Sequence, residues 1–378
     1  MNIHSIPIRP SRPPLSLQGR RGTASRSFPA TLCALICLAF ALAVAGCSKP
    51  VELKPKMIVG KKLLVSTTTE QTAETTREGA TNTTTLPANM KVESSQHLEW
   101  LVSILSESEG GGRELELELS AVQISSKAGD RTSVTFDSLA DQPNVATNYS
   151  AQVYRKLIGA KLGVGTDAAF AVTKSPPLAE FIPVIPVSAP APPSPALQRV
   201  LARQRLAGGL VTNLISQNSL NETLAPTISG LPTKPVRPGD SWAARHDTLL
   251  PDSPSGKAAT DLKYTFKKWE SSGGHNCALI EFTGTTTVPD LSSVFGELPS
   301  TLGEAAPRIS LKVEAGELRG KAWFDPELGM FRQVVTEQTV TRSMTMPGLR
   351  GAPERTTTTQ RHVKTTMNVA ETSGGAPR

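Results

Sequence analysis

The chain reads as mainly β, of the α+β class: two sets of antiparallel amphipathic strands flank a central helical and proline-rich insert. Three observations predict this. In "RELELELSAVQIS" (113–125), Leu115, Leu117 and Leu119 share one strand face, and Glu114, Glu116 and Glu118 the other. That is a period of two, the mark of a half-buried strand. Runs rich in threonine and valine recur on both sides of the centre, and β-branched side chains suit a pleated surface. Between them, "SPPLAEFIPVIPVSAPAPPSP" (175–195) holds too many prolines for a helix interior or a central strand.

In chain order, "LLVSTTTEQTAETT" (63–76), "MKVESSQHLEWLVSIL" (90–105), 113–125 and "TSVTFDS" (132–138) are read as strands. Residues 147–172 suggest a short helix followed by a hairpin. The proline-rich stretch reads as an extended loop. Ser194-Pro195 then caps a helix, with proline at its first position. Its stripe of Leu197, Val200, Leu201, Val211, Leu214 and Ile215 recurs at helical spacing and is expected to pack on the sheet. Segments 257–270, 275–288, 308–325, 330–346 and 355–369 complete the strands. Asp325-Pro326-Glu327-Leu328-Gly329 supplies a turn, proline setting φ and glycine accepting a positive one. The shared style of the two halves raises an internal duplication, folded as a curved sheet or half-barrel. The expected organisation is therefore a leader (1–46), a tether (47–59), a first β-rich half (60–172), the loop and helix (173–230), a second half (231–370) and a disordered tail (371–378).

The leader has its own logic. The first 46 residues carry five arginines and no acidic residue, and they run into the uncharged stretch Leu32–Ala45. Fourteen apolar residues match the ~7–15 of a secretory signal core and fall short of the ~20 of a membrane span. Val44-Ala45-Gly46-Cys47 resembles the lipobox of bacterial lipoproteins. That resemblance implies cleavage between Gly46 and Cys47, and a diacylglyceryl group on the Cys47 thiol. Small residues before the cysteine let a peptidase reach the backbone, and the thiol supplies the nucleophile. Stable anchoring requires two chains or an equivalent second signal, which a fully acylated cysteine exceeds. The expected location is the cell envelope, lipid-anchored and facing the periplasm, with Ser48 favouring the outer membrane over the inner.

Composition narrows the classes. The formal charge of +7 falls to +2 once the leader's five arginines are removed, leaving 332 of 378 residues. No clustered basic surface is evident, so no nucleic-acid partner is expected. Of four cysteines, Cys33 and Cys37 lie in the leader and Cys47 is the lipid site. Cys277 remains alone, which excludes an intramolecular disulfide and a zinc site built on several cysteines.

Several segments, "VTFDS" (134–138), "KLIGAKLGV" (156–164), "LPTKPVRPGDSW" (231–242) and "GKAWFDPELGMF" (320–331), are similar to a family of bacterial envelope lipoproteins known only as a domain of unknown function. The resemblance implies a periplasm-facing, β-rich lipoprotein and brings no catalytic residues with it.

The residues themselves offer little chemistry. Gly163-Val164-Gly165-Thr166-Asp167-Ala168 fits a dinucleotide fingerprint, but the fingerprint needs a strand before it and a helix after it; here the order is reversed. His97, His246, His275 and His362 lack metal-ligand spacing. Asp240, Ser241 and His246 supply the parts of a triad, yet a continuous strand from 241 would splay them. His275 and Cys277 lie about 7 Å apart along one strand face, about twice the distance a nucleophile pair requires. Asp137 and Asp325 each follow a phenylalanine before a turn. Glu114, Glu116 and Glu118 are too far apart to hold one calcium ion unaided and read as a solvated face paired with cations. No catalytic residue, metal site or cofactor is expected. The leading function is a non-enzymatic binding or scaffold protein for a lipid, a polysaccharide or an envelope partner. The alternative is an envelope hydrolase with an unrecognised site around Asp240, Ser241 and His246.

Overall fold

The leucine ladder of residues 115–119 lies at the centre of the core: Leu115, Leu117 and Leu119 are fully buried. Burying a leucine contributes roughly 1.5–3 kcal/mol, so this stretch is strongly held to one face. The computed structural model describes residues 49–78, 89–129, 131–140, 149–177, 180–181, 195–249, 257–288, 310–346 and 354–372. Gly46 and Cys47, the predicted cleavage and lipid sites, lie outside the described residues, as does most of the proline-rich loop.

Twelve strands form one antiparallel sheet. They are β1 (Lys62–Glu78), β2 (Asn89–Glu107), β3 (Arg113–Ala128), β4 (Arg131–Asp137), β5 (Lys161–Thr166), β6 (Val172–Lys174), β7 (Ser241–Leu249), β8 (Lys257–Ser272), β9 (His275–Thr287), β10 (Ser310–Asp325), β11 (Met330–Met346) and β12 (Arg355–Glu371). The order is β6-β5-β3-β2-β1-β12-β11-β10-β9-β8-β7, with β4 also on β3. The sheet is open, in keeping with the expected curved sheet or half-barrel; β6 and β7 end the strand order, and β4, paired with β3 alone, is a further edge. β3 is shared: Arg113 to Glu118 pair with β5, and Gln123 to Ala128 with β4. The fingerprint glycines Gly163 and Gly165 sit within β5, opposite Glu116 and Glu114.

One seam makes the sheet continuous. β1 pairs with β12 from Leu63↔Glu371 to Glu78↔Thr356, uniting the first strands of the chain with the last. Residues 49–372 accordingly belong to one compact unit. Away from the core the seam strands carry threonine on both faces. Thr75–Thr359 (3.1 Å), Ser343–Thr358 (3.2 Å) and Thr345–Thr356 (3.1 Å) join hydroxyls across strands. Such pairs contribute ~0.2–1 kcal/mol each and hold register where no core is present to set it.

Helices cover the inner face. They are α1 (Tyr149–Leu157), α2 (Pro195–Ile215) and α3 (Gln217–Leu224). In α1, Tyr154 stacks on Phe136 of β4 at 5.5 Å. In α2, Val211, Leu214 and Ile215 are buried, so this end of the predicted stripe does pack inward. The sequence pattern missed the break at Ser216. There the Ser216 hydroxyl accepts from the backbone N–H of Ser219 and starts α3, an N-cap worth ~1 kcal/mol.

The expected tether is largely docked. Val51 pairs with Val236, both N–H···O bonds being 2.9 Å. Leu53 and Met57 are buried, and Lys56 N–H donates to the Gly329 carbonyl at 3.1 Å. With only two apolar anchors four residues apart and prolines around them, the segment shows no strand or helix period. Its docking rests on long-range contacts.

Candidate functional site

Pairing across β7–β11 places Trp242, Tyr264, Phe282, Gly320 and Thr336 in one row on the inner face. Trp242 and Tyr264 are stacked, with centroids 5.7 Å apart and rings 8° from parallel, and Tyr264 meets Phe282 at 5.3 Å. Beside this row run Ala244, Leu262, Gly284 and Leu318. The two glycines are required by packing. A Cβ on Gly320 would collide with the Phe282 ring, and one on Gly284 with the Leu262 side chain. The large residues therefore lie over the small ones.

Above this floor, α3 and the 3₁₀ turn Ala225–Thr227 form a roof. Leu220 and Leu224 point into the core. Asn221 Oδ1 accepts from the Val172 N–H at 2.6 Å, and the Gln217 amide donates to the Val172 carbonyl, which ties α3 to β6. Floor and roof enclose a groove of about 480 Å³ lined by Leu262, Phe282, Leu318, Ala322, Phe331 and Val334, with Asn218 and Glu222 on the roof side. Its size and mostly apolar lining suit a small-molecule site of ~300–1,000 Å³. The polar groups are few. His246 Nε2 lies 3.2 Å from the Tyr264 hydroxyl, and burial pushes the Tyr264 phenol well above its ordinary value, so it stays a neutral hydrogen-bonding group.

Asp240, Ser241 and His246 are splayed, as expected of a continuous strand from 241. Asp240 Oδ2 accepts from the Arg237 N–H at 2.8 Å and closes its own turn. The Ser241 hydroxyl meets that of Thr265 at 2.9 Å. His246 lies five residues further along β7, hence on the opposite face from Ser241, and in the groove instead. Strand parity thus separates the nucleophile from the base.

A different pair does converge. His275 Nδ1 is 3.6 Å from Asp325 Oδ2, and Arg332 Nε donates to the same oxygen at 2.6 Å. Asp325 is 1% exposed and accepts from the Glu327 and Leu328 N–H groups. Burial pushes its carboxyl up, but the Arg332 bond and the two backbone donors together bring it below the usual range. Nearby Cys277 is buried; desolvation, then the Asp325 charge, push its thiol up to about 11. A protonated, inaccessible thiol is no nucleophile. The cluster is a turn clamp, as the residue types of 325–329 suggested.

The remaining predicted residues take structural roles. Asp137 Oδ1 accepts from the Leu139 N–H at 2.9 Å. Of the glutamate row, Glu116 pairs across the strand with Lys161 at 2.9 Å. His97 bridges Thr68 (2.8 Å) and Glu99 (3.2 Å) on the outer face, and His362 Nδ1 meets Thr339 at 3.3 Å. Among the described residues, no group of three or more His, Cys, Asp or Glu could hold a metal ion, and no helix is long and apolar enough to cross a membrane. Of the groove residues, sequence reasoning had singled out His246 alone, and for a different role. The only signal was a loose one: Trp242, Tyr264 and Phe282 as aromatics on three successive strands, with Gly320 in the same row on the next.

Fold and groove together define a class: an open antiparallel sheet whose inner face holds an apolar cleft under a helical roof. No protein-family model and no curated protein matches the chain. Among solved structures, lipovitellin, studied for lipid–protein interactions, matches with a TM-score of 0.37 at 9% identity, over 85% of this chain and 27% of its own. An outer membrane channel from Pseudomonas putida matches with a TM-score of 0.15 at 8% identity, over 84% of this chain and 99% of its own. The outer membrane protein OprG of Pseudomonas aeruginosa gives 0.16 at 6% identity, over 85% and 100%. The chain thus spans about a quarter of the lipovitellin chain it matches, and likenesses this distant carry nothing about function.

Proposed function

We propose that the chain is an extracytoplasmic lipoprotein, anchored through a lipidated Cys47, that binds an apolar ligand in the groove between α3 and β7–β11. The groove itself carries this reading: a cleft of about 480 Å³ whose floor is largely apolar, with hydrogen-bonding groups at His246, Tyr264 and the α3 side chains and hydroxyls at Ser229, Thr260 and Thr336. An acyl chain or similar amphiphile fits that distribution, its apolar part over Leu262, Phe282 and Val334 and its polar end at the His246–Tyr264 pair. Burying apolar surface contributes about 25 cal/mol per Å², so a chain lying on this floor would be retained without any covalent bond. The anchor would keep the carrier at the membrane that supplies the ligand, with Ser48 favouring the outer one.

Native mass spectrometry of the protein, extracted mildly and again after delipidation, tests this. Retention of an apolar ligand is expected in the first sample, with displacement by a fluorescent fatty acid in the second. Ala225→Trp, which fills the roof, should abolish uptake while leaving the far-ultraviolet circular dichroism unchanged. Equal uptake by this variant, or no ligand in either sample, would sink the groove as a binding site. Globomycin treatment with metabolic lipid labelling addresses the anchor separately; an unlabelled protein that still carries its leader would remove that half of the reading.

A further inference from the structure

We infer that the base of the sheet, where β1 begins and β2 ends, is a membrane-contacting rim that inserts Ile58, Val59 and Leu105 into the bilayer surface. Large apolar side chains exposed to solvent are few among the described residues: Ile58 (46%), Val59 (48%), Leu105 (55%), Leu139 and Met346. The first three meet at one place. Ile58 accepts from the Lys61 N–H at 3.1 Å, closing a turn around Val59 and Gly60, and Gly60 has φ +85°. That geometry is a type II turn with glycine where a positive φ is needed, and it leaves Val59 at the tip. The turn is bonded to the end of β2: the Gly60 N–H donates to Ile104 O at 2.8 Å, and the Ile104 N–H to Lys61 O at 3.1 Å. Leu105 follows directly. It is the extra residue of a bulge, since Ile104 pairs with Leu115 and Ser106 with Glu114. A bulge re-aims a side chain, and here it leaves a leucine outside the core.

The inference rests on the lipoprotein reading for its choice of partner, because chain length makes that partner a bilayer. Cys47 is four residues from Val51, which is already paired to Val236, so at ~3.3–3.6 Å per residue an anchored body stands within about 14 Å of its lipid. From Val51 the segment is bonded past Gly329, in the turn between β10 and β11, to the start of β1. In an antiparallel sheet the starts of β1, β7 and β11 lie at one end. The apolar turn and the anchor attachment thus share that end. Of the charges beside the patch, Lys61 pairs with Glu371 (2.5 Å) and Arg113 with Glu107 (2.8 Å), while Lys62 is exposed. Apolar side chains held at an interface lie ~5–10 Å into the headgroup–acyl boundary.

The test uses the full lipidated protein in vesicles of phosphatidylethanolamine and phosphatidylglycerol with brominated acyl chains. A bimane label is placed at Val59→Cys, at Leu105→Cys or at Glu74→Cys, the last about 40 Å from the base along β1. Cys47 is blocked by its lipid and Cys277 is buried, so the label is selective. About two-fold quenching is expected at Val59 and at Leu105, and none at Glu74. Equal emission at all three sites, with mass spectrometry showing a lipidated Cys47, overturns the rim while leaving the lipoprotein reading intact. An unmodified Cys47 overturns that reading and the rim with it.

Discussion

The indole N–H of Trp242 donates to the carbonyl oxygen of Gly230 at 2.7 Å. This bond joins the chain leaving the roof to the first strand of the groove floor. Gly230 has φ +77°, and a Cβ there would fall on the Tyr264 ring. Gly230→Ala is therefore doubly disfavoured, by backbone strain and by a clash with the aromatic row. Loss of about 1–3 kcal/mol and weaker uptake of a fluorescent fatty acid are expected, read from chemical denaturation and titration. An unchanged denaturation midpoint would contradict the packing described.

Leu53 tests whether the segment before β1 is part of the body. It is 1% exposed, so Leu53→Ala should cost about 2–5 kcal/mol, as at other buried leucines. A free tether would tolerate the change with no shift in thermal midpoint, and that result would separate residues 51–57 from the core.

Asp325 gives the fold an acid-sensitive element. Its carboxyl titrates below the ordinary aspartate range when folded, so the unfolded state binds more protons between the two values. The stabilisation is fully present above about pH 4, the ordinary value, and declines as pH falls through the folded value. Denaturation midpoints measured from pH 6 down to pH 2 should fall, and Asp325→Asn should flatten that part of the curve. Asp325→Asn should also destabilise at pH 7, because Arg332, whose side chain is 12% exposed, loses its charged partner; breaking such a pair costs about 3–5 kcal/mol. A variant as stable as the parent at pH 7 would contradict this.

Cys277 should resist thiol reagents. With the thiol pushed up to about 11 and buried, Cys277 should react with a maleimide at pH 8 far more slowly in the native state than in denaturant. Rapid native labelling would show that β9 opens locally.

The parts of the fold legible in the sequence were those written in local period. Alternation marked β1 to β3 and β8 to β12 within a few residues of their observed bounds, and Ser194-Pro195 marked the start of α2. The candidate site was hardly legible. Asp240, Ser241 and His246 are close in sequence, yet strand parity divides them between two faces, while Glu222 and Val334, far apart in the chain, line one groove. The turn and strand roles expected of these residues hold: Asp240 closes its own turn and Ser241 bonds across the strand to Thr265.

By itself the sequence determined which segments are strands, which face of each is apolar, and the lipobox-like junction at Cys47 that motivates the anchor. Those follow from side-chain period and residue type, which act over a few residues. Only the tertiary structure decided that β1 pairs with β12, about three hundred residues away, that Leu53 and Met57 are drawn into the core, and that Phe282 and Leu262, seated over Gly320 and Gly284, floor a groove beneath α3. Each of these depends on which strands become neighbours, and an alternating pattern is the same whichever strand lies beside it.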